Sequence, residues 1–277
     1  MWDVGCGMWD VGARVIMRTQ LLIACAAFSL LSPSTTLRAQ TLAERVASAG
    51  NGVVTFHFTA RPGVCGDGEH FIRTGRRSYH GAFSNDYPTG PCIAGPVEVR
   101  LTVSDGAVTR VQQWVGPLRD RAARDLGAVS APEAARYLMS VAERANHSAS
   151  AKAIFPAVLA DSSTVWPALL TIARDLDTRS KATRQDAMFW LSRFASGAVA
   201  GHPNDPFDDD DDGDADEDLK AHAVFVLSQL PNGEGVQNLL ELARSSPSRR
   251  VRSQALFWLG QSGDPRAIAL FESVLRS

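Results

Sequence analysis

Apolar positions change their period once along this chain, near residue 130, from about two to between three and four. Before that point, Val53-Val54-Thr55-Phe56-His57-Phe58-Thr59 is rich in β-branched and aromatic residues, and Val97-Glu98-Val99-Arg100-Leu101-Thr102-Val103 alternates apolar with polar. Both patterns predict strands, the second with one wet face. Asp105-Gly106 then separates that strand from Val108-Thr109-Arg110-Val111. Asp-Gly between two such runs predicts a hairpin, because the turn needs positive φ at its centre. Residues 61–96 are rich in Gly and Pro and hold Cys65 and Cys92. The expectation for residues 40–117 is a small antiparallel β-domain with a long loop.

Helical spacing starts at Ser130, where Pro132 sits in the first turn behind a capping serine. A second helix is expected over residues 149–160. Three later segments align without gaps: Arg184-Gln185-Asp186-Ala187-Met188-Phe189-Trp190-Leu191-Ser192, Lys220-Ala221-His222-Ala223-Val224-Phe225-Val226-Leu227-Ser228 and Arg252-Ser253-Gln254-Ala255-Leu256-Phe257-Trp258-Leu259-Gly260. Their apolar runs are too wide for one exposed stripe, so these helices need cover on more than one side. Ala187, Phe189, Leu191, Ala223, Phe225, Leu227, Ala255, Phe257 and Leu259 are the expected repeat core. Ser192, Ser228 and Gly260 are small enough for a neighbouring helix to approach closely.

A second kind of helix carries a single stripe: Val165, Ala168, Leu169, Ile172 and Ala173; Val236, Leu239, Leu240 and Ala243; Ala267, Leu270, Phe271, Val274 and Leu275. Pairs of such helices, each covering the next, form a solenoid. The predicted fold class is α+β: the small antiparallel β-domain followed, over residues 131–277, by an α-solenoid of about four helical pairs stacked in sequence order. An acidic insertion interrupts it at residues 203–218. On the three matched segments and the turn Gly263-Asp264-Pro265-Arg266-Ala267, the sequence resembles the HEAT-repeat family, particularly its short bacterial, lyase-type HEAT-like repeats. That resemblance implies a scaffold whose shared positions are packing positions and whose partner is another protein. It transfers no catalytic residue, and the β-domain resembles no named family.

The amino terminus has the pattern of an address. Arg18 precedes the uncharged apolar run of residues 21–31, and Leu37-Arg38-Ala39 places a small residue before a cut ahead of Gln40. The run is too short to span a bilayer, and no transmembrane segment is expected in the mature chain. Residues 1–39 are therefore assigned to leader and signal peptide, with a periplasmic or secreted product. Within them, Met1-Trp2-Asp3-Val4-Gly5 recurs as Met8-Trp9-Asp10-Val11-Gly12, and residues 1–16 have the look of a mis-assigned start. Lipid attachment at Cys25 is disfavoured because the apolar run continues past it. Export leaves Cys65 and Cys92 as a pair in one small domain, and a disulfide is the expectation.

The net charge of −2 conceals a segregation: nine of the eleven residues from 208 to 218 are acidic. Basic residues elsewhere are spread over helices, so nucleic acid is not the expected partner. Asp208, Asp210, Asp212, Asp214 and Asp216 fall at alternate positions, with Gly213 at the sixth, as in a calcium loop. Leu219 stands where such a loop needs a bidentate Glu, and the competing reading is a solvated insertion. Asp67, Glu69, His70 and His80 are the one grouping within residues 61–96 with metal or acid–base potential. Neither a Gly-x-Ser-x-Gly elbow nor a phosphate-binding glycine loop occurs. The expected function is thus an exported, non-enzymatic scaffold for protein–protein interaction, with no cofactor. The alternatives are a metal- or ligand-binding protein or enzyme with its site in residues 61–96, and a calcium-responsive adhesion module using the Asp-rich loop.

Overall fold

A computed structural model describes residues 40–75, 77–80, 91–144, 148–202, 204–207 and 215–277. The leader, the fourfold run Asp208, Asp210, Asp212 and Asp214, and the cleavage position at Ala39 lie outside the described residues. Thr41–Ser277 forms one compact unit.

The first element is a helix, α1 (Leu42–Ala49), at the start of the 40–117 stretch whose pattern predicts a β-domain. Its cause is legible in hindsight. Thr41 and Glu44 close a capping box, with the Thr41 hydroxyl accepting from the Glu44 N–H and the Glu44 carboxylate accepting from the Thr41 N–H. Leu42 and Val46 are its buried face.

The expected single sheet is two. The first contains β1 (Gly52–Phe58), β6 (Val97–Ser104), β7 (Ala107–Val115) and β8 (Arg124–Ala128), in the order β7-β6-β1-β8. The β6–β7 hairpin turns at Asp105 and Gly106, whose φ values of 53° and 72° are the positive pair that the Asp-Gly signal predicts. β8 pairs parallel with β1 and occupies the stretch expected to link two domains. The second sheet has the order β4-β3-β2-β5, with β2 (Val64–Gly66), β3 (Phe71–Thr74), β4 (Arg77–His80) and β5 (Ile93–Ala94), all antiparallel. Cys65 and Cys92 are disulfide-bonded, with Cα atoms 5.3 Å apart, and tie β2 to the chain leading into β5.

Nine helices are present among the described residues. After α1 come α2 (Ala131–Arg144), α3 (Ser148–Leu159), α4 (Trp166–Arg174), α5 (Lys181–Val199), α6 (Ala215–Ser228), α7 (Val236–Ser245), α8 (Arg249–Ser262) and α9 (Pro265–Arg276). Val54, Phe56 and Phe58 on β1 align with Leu101, Val99 and Val97 on β6, and all six are buried. Phe56 meets Tyr137 of α2 edge-on at 6.4 Å, so sheet and helices share one core rather than two.

Stacking order departs from sequence order. α8 packs between α5 and α6, while α5 and α6 make at most glancing contact among the described residues. The α5–α8 crossing is antiparallel: Met188 lies at Gly260, whereas Ser196, further along α5, reaches back to the Ser253 carbonyl near the start of α8. α9 packs on α4 and α5, where Arg276 lies over the Trp166 ring at 5.7 Å and Arg174 pairs with Glu272. The reason is in the order of helix types. No single-stripe helix follows α5; the acidic insertion stands in that place, and the last pair, α8–α9, folds back to cover the apolar surface left open.

Burial revises the repeat core accordingly. Ala187, Leu191, Ala255 and Leu259 are buried as expected, but Phe189, Phe257 and Leu227 are only half-buried, and Ala223 and Phe225 are exposed. The inward position is the one before each phenylalanine: Met188, Val224 and Leu256 are buried. The small-residue position does allow close approach. A β-carbon at Gly260 would stand 2.6 Å from both Cβ and Oγ of Ser192 and 3.0 Å from the Met188 carbonyl. Gly260→Ala is therefore expected to destabilise by about 1–3 kcal/mol through overpacking, despite alanine's higher helix propensity. Adding Ser192→Gly restores part of that loss in a double-mutant cycle of thermal melts, and simple additivity of the two changes would contradict the contact.

Candidate interaction surface

Two groups of side chains stand out, one on the sheets and one across the helices. On the sheets, β2 turns toward β3 at Asp67. One oxygen of its carboxylate accepts from the backbone N–H groups of Glu69 (2.9 Å), His70 (2.7 Å) and Phe71 (3.2 Å), and the other lies 3.0 Å from His70 Nδ1. Desolvation pushes the Asp67 pKa up, but these bonds outweigh it and hold the group well below the usual aspartate range. A carboxylate so engaged caps a turn; it is not poised to take a proton.

The turn is clamped from above by the segment after β7. Arg119 pairs with Glu69 at 3.0 Å and donates to the Asp67 carbonyl. Arg121 donates to Glu98 (2.9 Å) and to the Gly68 carbonyl (2.5 Å), and its guanidinium lies 3.6 Å from the centre of the Trp114 ring. His57, Glu98 and Trp114 are cross-strand neighbours in one row of the first sheet. Thr55, His57, Glu98 and Asp125 line a groove of about 340 Å³ beside this row. Of the sequence candidates, Asp67, Glu69 and His70 thus come together, while His80 stands opposite Phe71 in the ladder. Among the described residues, no group of three or more His, Cys, Asp or Glu is placed to hold a metal ion. Glu98 falls on the polar side of the alternating run 97–103, which predicts a wet face, yet it is buried; nothing local marks Trp114 or Arg121, the latter reaching Glu98 and Trp114 from a loop.

Across the helices runs a band of aromatic rings. Phe155 of α3 stacks on Trp190 of α5 at 5.4 Å, and Trp190 meets Phe207 at 5.9 Å and Phe189 at 4.9 Å. Phe189 then meets Phe257 of α8 (6.3 Å), Phe257 meets Trp258 (5.0 Å), Trp258 meets Phe225 of α6 (5.1 Å) and Phe225 meets His222 (5.9 Å). The band follows the spatial order α3–α5–α8–α6. Exposure grows along it, from Trp190, which is buried, to Phe225, which is 37% exposed. Aromatic side chains in this half-buried state offer large contact area at low entropic cost.

The helices at the exposed end have a counterpart among known families. Residues 212–277, spanning α6 to α9, match the family model described as HEAT repeats. This segment is similar to HEAT repeats. No curated protein and no solved structure matches the chain. HEAT repeats generally mediate protein–protein interaction. Here the matched segment holds two helical pairs, and the second pair, not the first, docks it onto α4 and α5. Among the described residues, no helix is long and apolar enough to cross a membrane.

Proposed function

We propose that this protein is an exported, non-enzymatic scaffold that binds another protein along the aromatic band of α5, α8 and α6. The band carries the reading: it is continuous over three helices, half-open to solvent, and lies partly on the segment similar to HEAT repeats. Rigid aromatic surface of this kind suits a macromolecular partner better than a small substrate, which needs enclosure. The Cys65–Cys92 disulfide fits a product that functions in an oxidising compartment.

Affinity capture with the full mature chain tests the binding. A partner recovered by the wild type is expected to be lost, or depleted about tenfold, with Phe257→Ala, since truncating an aromatic anchor costs about 1–2 kcal/mol or more. The variant must keep a cooperative melt. Equal recovery by wild type and variant removes the band from the interaction. Amino-terminal sequencing of the cell-envelope and secreted fractions checks export, with Gln40 expected as the first residue; a full-length cytosolic product would overturn it.

A further inference from the structure

A hollow of about 550 Å³ opens between α1, the β6–β7 hairpin and α2, and none of its lining residues belongs to the aromatic band. Val46 of α1, Val103 and Val108 of the hairpin, and Tyr137 and Val141 of α2 give it apolar walls. Of these, Val46, Val103, Tyr137 and Val141 are buried. Apart from Arg144, the rest of the lining is alanine, glycine and Asn51, so no large side chain fills the space. A hollow of this size suits a small molecule.

Two donors meet this apolar space. Tyr137 is only 8% exposed and packs edge-on to Phe56, yet its hydroxyl bonds to no described residue. A tyrosine buried to this degree ordinarily finds a hydrogen-bond partner. Burial pushes its pKa up to about 12, with the Arg144 charge opposing that rise, so the hydroxyl keeps its proton and can donate. Arg144 is the one charged side chain among the described residues that line the hollow. Its Nε and one Nη donate to the carbonyl (3.1 Å) and hydroxyl (2.8 Å) of Ser140, one turn back on α2, which holds the guanidinium in place. Arg144 forms no ion pair with a described Asp or Glu. Apolar walls, two donors and an unmatched positive charge are complementary to an anion on an apolar body.

We propose that this hollow binds a small amphipathic monocarboxylate of the fatty-acid class. Its alkyl chain lies against Val46, Val103, Val108 and Val141, where both surfaces leave water. Its carboxylate accepts from the Tyr137 hydroxyl and from the guanidinium of Arg144, bonds strengthened by the charge. An ammonium head would be repelled by Arg144, and an alcohol would leave that charge unmatched. The site shares no residue with the aromatic band, so this assignment stands or falls apart from the scaffold reading.

Isothermal titration of the purified chain with octanoate tests it, beside octylamine, octanol and acetate. Octanoate is expected to bind at least about tenfold tighter than octylamine or octanol, because only its head is a charged acceptor. Acetate, a head without a chain, is expected to bind far more weakly. Arg144→Gln and Tyr137→Phe are each expected to weaken octanoate about tenfold. The melting temperature is held in both, since Arg144 is exposed and the Tyr137 hydroxyl bonds to no described residue. Ala47→Phe, at an exposed position of α1 that lines the hollow, fills the space and is expected to abolish binding. Absence of saturable octanoate binding overturns the proposal, as does equal affinity for octylamine, octanol or acetate. So does an octanoate affinity unchanged by any of the three substitutions. Each failure leaves the Phe257→Ala capture experiment standing, so the scaffold reading is judged separately.

Discussion

Replacing Arg61 with alanine is expected to lower the stability of Thr41–Ser277 by about 3–5 kcal/mol, the loss characteristic of leaving several buried polar groups unsatisfied. Arg61 joins the sheets to the helices. Its guanidinium donates to the carbonyls of Val158 (2.7 Å), Asn204 (2.9 Å) and Ser163, and lies 5.8 Å from the centre of the Phe194 ring. Its backbone N–H donates to the Leu159 carbonyl, beside an isolated bridge between Ala60 and Ala160. Burial lowers the Arg61 pKa, with Asp205 and Asp161 opposing that shift, and an arginine remains charged throughout. Truncation strands three carbonyls at the seam between two halves of one core. Arg61→Lys keeps the charge without the fork, so it should recover only part of the loss. Chemical denaturation of the three proteins measures this, and a change below about 1 kcal/mol for Arg61→Ala would show that water replaces the guanidinium at no cost.

Cys65→Ala with Cys92→Ala is expected to cost about 3–4 kcal/mol, from the loop-closure entropy of two cysteines 27 residues apart. For a unit of this size that corresponds to a fall in melting temperature of about 10 °C. The bridge matters here because the second sheet is made of short strands. β5 is two residues long, and its pairing with β2 involves only Cys65–Ala94 and Gly66–Ile93. Without the bridge, little holds the 91–96 segment against β2. Calorimetry of wild type and double variant reads the global loss. Hydrogen exchange at Gly66 and Ile93 reads the local one, and unaltered protection there would mean that the strand pairing is self-sufficient.

Phe189, Phe225 and Phe257 show where sequence reasoning reached and where it stopped. Their recurrence marked three equivalent helices, and the family match over residues 212–277 agrees for the last two. It did not say which way they face. In each copy, adjacent apolar residues cover more than half the helix circumference, so periodicity does not distinguish the inward member from the half-open one. Met188, Val224 and Leu256 take the core, and the rings form the surface band instead. A similar gap affected α1, whose Thr-x-x-Glu cap was readable, and β8, whose pairing with β1 is a long-range contact without a local signature.

Taken alone, the order of residues determined the α+β class, the Asp-Gly hairpin, the helix pairs and which two cysteines could meet, since propensity, period and spacing act over a few neighbouring positions. Only the folded chain decided that α8 lies between α5 and α6, that one core spans sheet and helices, and that Arg61, Arg121 and the aromatic rings meet partners far along the chain. Those outcomes depend on which apolar surfaces remain uncovered once every element has formed. That is a property of the whole assembly competing to exclude water, and no short stretch of sequence carries it.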